Sequence, residues 1–179
     1  MPRIYRFDPE KALNVILWVA NRAKIPDFYR ISKIIYFADK VHLQKYGRLI
    51  CGDAYVAMKD GPVPSGVYDI LKSVRGDGYS PCEIEAKNSF EVYAKTRVVP
   101  LKDADMYVFS DSDLECLSEA TRKYGGMSFR KLKELSHDKA FKSTGPNNLI
   151  DIYDIVKTLP NREELTEYLE KSTVSYHPR

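Results

Sequence analysis

Apolar residues recur at helical steps in the first quarter of the chain. Leu13, Ile16, Leu17, Ala20 and Ala23 are three or four apart, which predicts a helix. Asp8-Pro9-Glu10 supplies a cap, a proline for the first helical position and an acid for the positive end of the dipole. Pro26 ends that segment and Asp27 caps a second helix, whose stripe is Phe28, Ile31, Ile34, Ile35, Ala38 and Val41. Tyr46-Gly47 closes it, with glycine free to turn left-handed. The pattern then shortens. Ala54–Lys59 reads as a strand and Asp60–Ser65 as a rigid turn carrying Pro62 and Pro64. Val67, Ile70, Leu71 and Val74 predict a third helix ended by Gly76-Asp77-Gly78. Cys82–Lys87 and Phe90–Val99, parted by Asn88-Ser89, predict a β-hairpin.

A fourth helix, capped by Asp111 or Asp113, carries Leu114, Leu117 and Ala120 and stops at Gly125-Gly126. Ser128 caps a fifth, with Phe129, Leu132 and Leu135 facing inward, and a last helix starts at Asn161. The expected fold class is α+β: one mostly helical domain over 8–171, with about six helices and a small antiparallel sheet. Residues 172–179 read as a frayed tail.

The 179 residues carry 28 Lys+Arg and 25 Asp+Glu, a net charge of +3 too small to signal nucleic acid by itself. No apolar run reaches the roughly 18 residues of a spanning helix. The first residues lack the apolar core of a signal peptide, so a cytoplasmic protein is expected. Cys51, Cys82 and Cys116 are odd in number and widely spaced, which argues against a disulfide framework or a thiolate metal site. No metal and no cofactor are expected. The 13 tyrosines suit cores and protein interfaces alike.

Candidate chemistry is sparse. Asp39 and His42 lie three apart on the second helix and could form a carboxylate–imidazole pair, catalytic or purely structural. No nucleophile or metalloprotease motif accompanies them, and no catalytic residue is assigned. His137 sits at the end of the fifth helix, as a dipole partner or a contact, and His177 in the tail carries no argument. The fourth and fifth helices have the outline of a helix-turn-helix, with Arg130, Lys131 and Lys133 on the second member. Charges of this kind also solvate an ordinary outer face. The segment Gly61-Pro62-Val63-Pro64, flanked by Tyr55 and Tyr68, is either a stiff connection or a preorganised surface for a protein partner.

Longer strings carry more information. Lys33–Leu43 contains Tyr36-Phe37-Ala38-Asp39 and His42-Leu43, and is followed by Tyr46-Gly47-Arg48 and by Gly52–Ser65 with Gly61-Pro62-Val63-Pro64. Together with Tyr68-Asp69 and Leu135-Ser136-His137 before Phe141, this order resembles the SocA-like, or Panacea, antitoxin domain. The resemblance spans most of Pro9–Phe141. It makes Tyr36, Asp39, His42, Gly52 and Asp53 motif residues. It implies a non-enzymatic antitoxin of a phage-associated toxin–antitoxin system, which binds a cognate toxin directly. Alternatives within the resemblance are an adaptor that delivers the toxin to an AAA+ protease, and a DNA-binding regulator. Some members carry a separate DNA-binding module, and the few residues before the first helix leave no room for one here. Nucleic acid is therefore not an expected partner, and without a spanning apolar run neither is a membrane. The expected toxin surface is Tyr55, Gly61, Pro62, Val63, Pro64 and Tyr68.

Overall fold

A computed structural model describes residues 6–174 of the chain. Its centre is a pair of helices, α1 (Pro9–Ala20) and α2 (Phe28–Tyr46). Asp8 accepts from the Lys11 amide at 3.0 Å and Asp27 from the Arg30 amide at 2.7 Å, so both caps act as the sequence suggests. The amphipathic reading of these helices is too narrow. Residues 12–20 of α1 are all buried, and so are residues 31–39 of α2, including the polar Ser32, Lys33 and Asp39. An apolar stripe marks the face a helix must bury, and neighbours on other sides can cover the remainder.

Two small antiparallel sheets flank this pair. In the first, β1 (Tyr55–Met58) pairs with β2 (Gly61–Pro64) in the register Tyr55↔Pro64 and Ala57↔Pro62. The segment 60–65 expected as a rigid turn is therefore mostly a strand. Prolines are tolerated because their partners point away from β2. The Ala57 amide donates to the Asn148 carbonyl at 2.9 Å, and the Ile150 amide donates to the Tyr55 carbonyl at 2.8 Å. Pro62 and Pro64 thus occupy positions where no ladder donor is required. Gly61 has φ 110°, and a Cβ there would stand 2.7 Å from the Ser136 hydroxyl and 3.0 Å from the Lys33 ammonium, so both backbone and space call for glycine.

The second sheet corrects the sequence reading. Glu83–Lys87 is a short helix, α4, that follows α3 (Ser65–Arg75), and the hairpin pairs β3 (Phe90–Tyr93) with β4 (Arg97–Pro100). Its turn holds Ala94 at φ 48° and Lys95 at φ 70°. Neither residue advertises a left-handed turn, whereas Asn88-Ser89 does, and in fact closes α4. The hairpin is tied to the loop before α2, since the Phe28 amide donates to the Thr96 carbonyl at 2.9 Å.

The C-terminal half wraps α2. Helix α5 (Asp111–Tyr124) lies along it, with α6 (Phe129–Ser136), α7 (Lys139–Lys142), α8 (Ile152–Val156) and α9 (Arg162–Val174) following. Ser110, rather than Asp111 or Asp113, caps α5, and Asp113 completes a capping box by accepting from the Ser110 amide at 2.9 Å. Of the three inward residues expected on α6, Leu132 is buried. Phe129 and Leu135 are exposed, Phe129 against the Tyr29 ring with centroids 4.3 Å apart. The described residues hold nine α-helices, and the short α4, α7 and α8 are the ones absent from the expectation. The protein is a single, mostly helical α+β domain. Helix α9 runs on to Val174 through the start of the expected tail, while residues 175–179, with His177, lie outside the described residues.

Candidate functional site

The motif residues meet around α2, where each makes a definite contact. Asp39 is 1% exposed. Its carboxylate accepts from the Ile50 amide at 2.7 Å and from the Tyr55 hydroxyl at 2.6 Å. Burial pushes its pKa up to about 6, against the pull of those two bonds. Asp53 behaves similarly. It accepts from the backbone amides of Ala54 at 2.8 Å and of Gly66 and Val67 at 2.9 Å, and burial raises it to about 6. Pro64 offers α3 no side-chain cap, so Asp53 caps that helix from across the sheet. Gly52, at φ 65°, turns the chain beside the Arg6 carbonyl, which a Cβ would strike.

His42 is not paired with Asp39. Its Nδ1 faces the Arg48 carbonyl at 2.8 Å, which can only accept, so that nitrogen carries the proton. Its Nε2 meets the Ser112 hydroxyl at 3.0 Å and Asp113 at 3.3 Å. The partner expected from i,i+3 spacing is displaced by one from α5, seventy-one positions away. Asp113 is buried with Lys11 at 2.5 Å. Burial would raise its carboxyl, but the adjacent His42 ring and bonds from Lys11 and the Ser110 amide hold it well below the usual range. Tyr36 donates to Asp138 at 2.8 Å and Lys40 reaches the same oxygen at 2.7 Å. Asp138 also caps α7, so this cluster joins α2 to the Leu135-Ser136-His137 element. His137 stacks on Phe141 with centroids 4.1 Å apart.

The residues expected to face a toxin divide. Tyr55, Gly61, Pro62 and Pro64 are buried in the sheet and cannot present a surface in this conformation. Burial follows from their neighbours: Tyr55 lies edge-on to the Tyr36 ring at 5.0 Å, and Pro62 is covered by Lys33. Val63 and Tyr68 are half-buried and line a cleft of about 280 Å³ with Phe28, Tyr29, Lys33 and Asp60. Lys33 is 0% exposed, and its ammonium donates to the Pro62 carbonyl at 2.8 Å and lies 4.9 Å from the Tyr29 ring centroid. Burial pushes its pKa down to about 7, while the Asp60 charge pulls it back up. Sequence reasoning missed Lys33 because nothing in a helical lysine signals burial. The one available hint was its place in the apolar run from Ile31 to Ala38. It also missed the long-range contacts of Asp113 with His42 and Lys11 and of Asp138 with Tyr36 and Lys40, all more than 70 positions apart in the chain.

Among the described residues no three His, Cys, Asp or Glu side chains converge as a metal site, and no helix is long and apolar enough to cross a membrane.

An α+β domain whose shared polar residues join α2 to β1, α3, α5 and α7 is a scaffold held together from within. Residues 31–142 match the family described as antitoxin SocA-like, Panacea domain, and the chain belongs to that family. Membership supports a general antitoxin role and implies a toxin as partner. No curated protein and no solved structure matches the chain.

Proposed function

We propose that the chain is an antitoxin that neutralises its toxin by direct protein–protein binding and performs no catalysis of its own. One observation carries this reading: the motif groups able to move a proton are used up inside the fold. Asp39 and Asp53 accept backbone amides, and His42 is engaged at both ring nitrogens. A general acid or base needs reach to a substrate atom, and these three are buried. The contact surface is then the exposed edge beside β2, where Val63 and Tyr68 emerge next to Tyr29 and Phe129. Tyrosine offers large contact area with few torsions to freeze.

The test is co-expression with whatever protein is encoded beside the gene, scored for growth. Rescue at an unchanged toxin level, with a complex that co-purifies, is the expected result. Rescue accompanied by toxin loss that needs an AAA+ protease overturns direct neutralisation in favour of delivery. A purified activity lost in a folded His42→Ala protein overturns the non-catalytic assignment.

A further inference from the structure

Lys33 has a feature the scaffold role of its neighbours does not explain. Its ammonium is fully buried, yet among the described residues no acid lies within ion-pair distance of it. Its one hydrogen bond goes to a neutral carbonyl, and its other near contact is the face of Tyr29. Buried charges are ordinarily paired, because an uncompensated charge in a low dielectric is costly. The acid on the adjoining turn, Asp60, is taken by Lys133 at 2.8 Å.

The cleft is therefore electrically lopsided. Lys33, Lys59 and Arg75 line it against the single acid Asp60. Arg75 is held by Asp77 at 2.7 Å, whereas Lys59, like Lys33, has no ion pair among the described residues. Its walls are aromatic: Phe28 meets Tyr68 edge-on with centroids 6.3 Å apart, and Tyr29 carries the Lys33 ammonium. A volume of about 280 Å³ is at the floor of the range for whole small-molecule ligands, roughly 300–1,000 Å³, and is ample for one side chain. We infer that this cleft receives a single carboxylate side chain, glutamate or aspartate, from the protein partner, drawn by the positive field of Lys33 beneath its floor and Lys59 at its rim, with the Tyr29 and Tyr68 rings as its walls. The antitoxin reading supplies only the existence of that partner.

The energetics favour such a guest. The fold already bears the cost of stripping water from the ammonium, so an arriving carboxylate meets a desolvated, positioned charge. Other groups bearing on Lys33 are Asp60 on the β1–β2 turn, Lys133 on α6, His137 at the end of α6 and the Tyr29 hydroxyl on α2. Lys133 lowers the Lys33 pKa and Asp60 raises it. With the free amine titrating near 7, binding of an anion draws a proton in, and affinity falls as pH rises above that value.

The probe is N-acetylglutamate N-methylamide, which carries only a side-chain carboxylate, titrated into the whole protein by NMR against its glutamine counterpart. Saturable shifts at Tyr29, Lys33 and Tyr68 are expected, about tenfold or more weaker for the glutamine compound, for Lys33→Met and for the cleft-filling Val63→Trp. Binding of the glutamate compound is expected to weaken by about fivefold between pH 7 and pH 8. Circular dichroism melting establishes that each variant is folded, and two variants at different positions guard against one failing to fold. Equal binding of the two compounds, or unaltered binding by folded Lys33→Met and Val63→Trp, overturns the inference. So does tight binding of free phenylacetate where the glutamate compound does not bind, which marks a site for small organic acids. The titration needs no toxin, so its failure leaves growth rescue standing, and failed rescue beside a positive titration removes only the antitoxin reading.

Discussion

Individual polar side chains hold this molecule together, and their contributions are separable. His42 bridges the Arg48 carbonyl and the Ser112 hydroxyl with no exposed surface. His42→Ala strips the Arg48 carbonyl of its donor and the Ser112 hydroxyl of one of its three partners, and is expected to cost on the order of 1–3 kcal/mol, read as a fall in the denaturant midpoint. Lys33 gives a prediction with a definite sign. Its folded pKa of about 7 lies below the roughly 10.4 of an unfolded lysine. Between those values the unfolded chain binds the extra proton, so this group's contribution makes stability rise with pH. Replacing it by methionine removes the slope. The stability of Lys33→Met relative to wild type is therefore expected to be greatest near pH 7 and to shrink toward pH 10, by a few kcal/mol at most. A difference that stays constant over that range, in urea titrations of both proteins, contradicts an unpaired buried ammonium.

Elements show where sequence reading succeeds and where it stops. Helices α1, α2, α3 and α5 were legible because their stripes are long and their ends carry local signals: Asp8, Asp27, Gly47 and Gly76. The short α4, α7 and α8 hold five residues or fewer, too few for a period to emerge. Strand β2 was hidden by its two prolines, which local rules read as a turn and which only the pairing of β1 with residues 148–150 makes acceptable. The candidate site was half legible for the same reason. Its motif residues are legible but the buried Lys33 is not, and whether each residue faces out or in depends on partners far along the chain. Tyr55 and Tyr68 now separate in experiment. Tyr55→Ala strips a buried ring and a bond to Asp39, and is expected to cost about 3–5 kcal/mol or prevent folding. Tyr68→Ala, at the half-exposed cleft edge, is expected to stay folded and to weaken toxin binding by roughly thirtyfold. Asp53→Ala uncaps α3 without touching that edge, and its loss of about 1–2 kcal/mol belongs in the melting curve rather than in the affinity of the folded protein.

Across the whole molecule, the question is which face meets a macromolecule. The helix pair α5–α6 offers Arg130, Lys131 and Lys133, the outline that suggests DNA. Two of these three are engaged: Lys133 with Asp60 at 2.8 Å and Lys131 with Glu134 at 3.2 Å. Both pairs are exposed, so each contributes little to stability, about 0–1 kcal/mol, and a phosphate could compete for either lysine. The member of the pair that would enter a groove is itself committed elsewhere. Helix α6 packs Leu132 into the core and rests Phe129 on Tyr29. The expected outcome for the combined change of Arg130, Lys131 and Lys133 to alanine is therefore a folded protein that still neutralises its toxin. Loss of the Lys133 contact also frees Asp60 beside Lys33, which lowers the positive field in the cleft and predicts a modest fall in toxin affinity at low salt only. A gel shift of promoter DNA that is specific, weakens steeply with salt and vanishes in the triple variant would instead assign this face to nucleic acid.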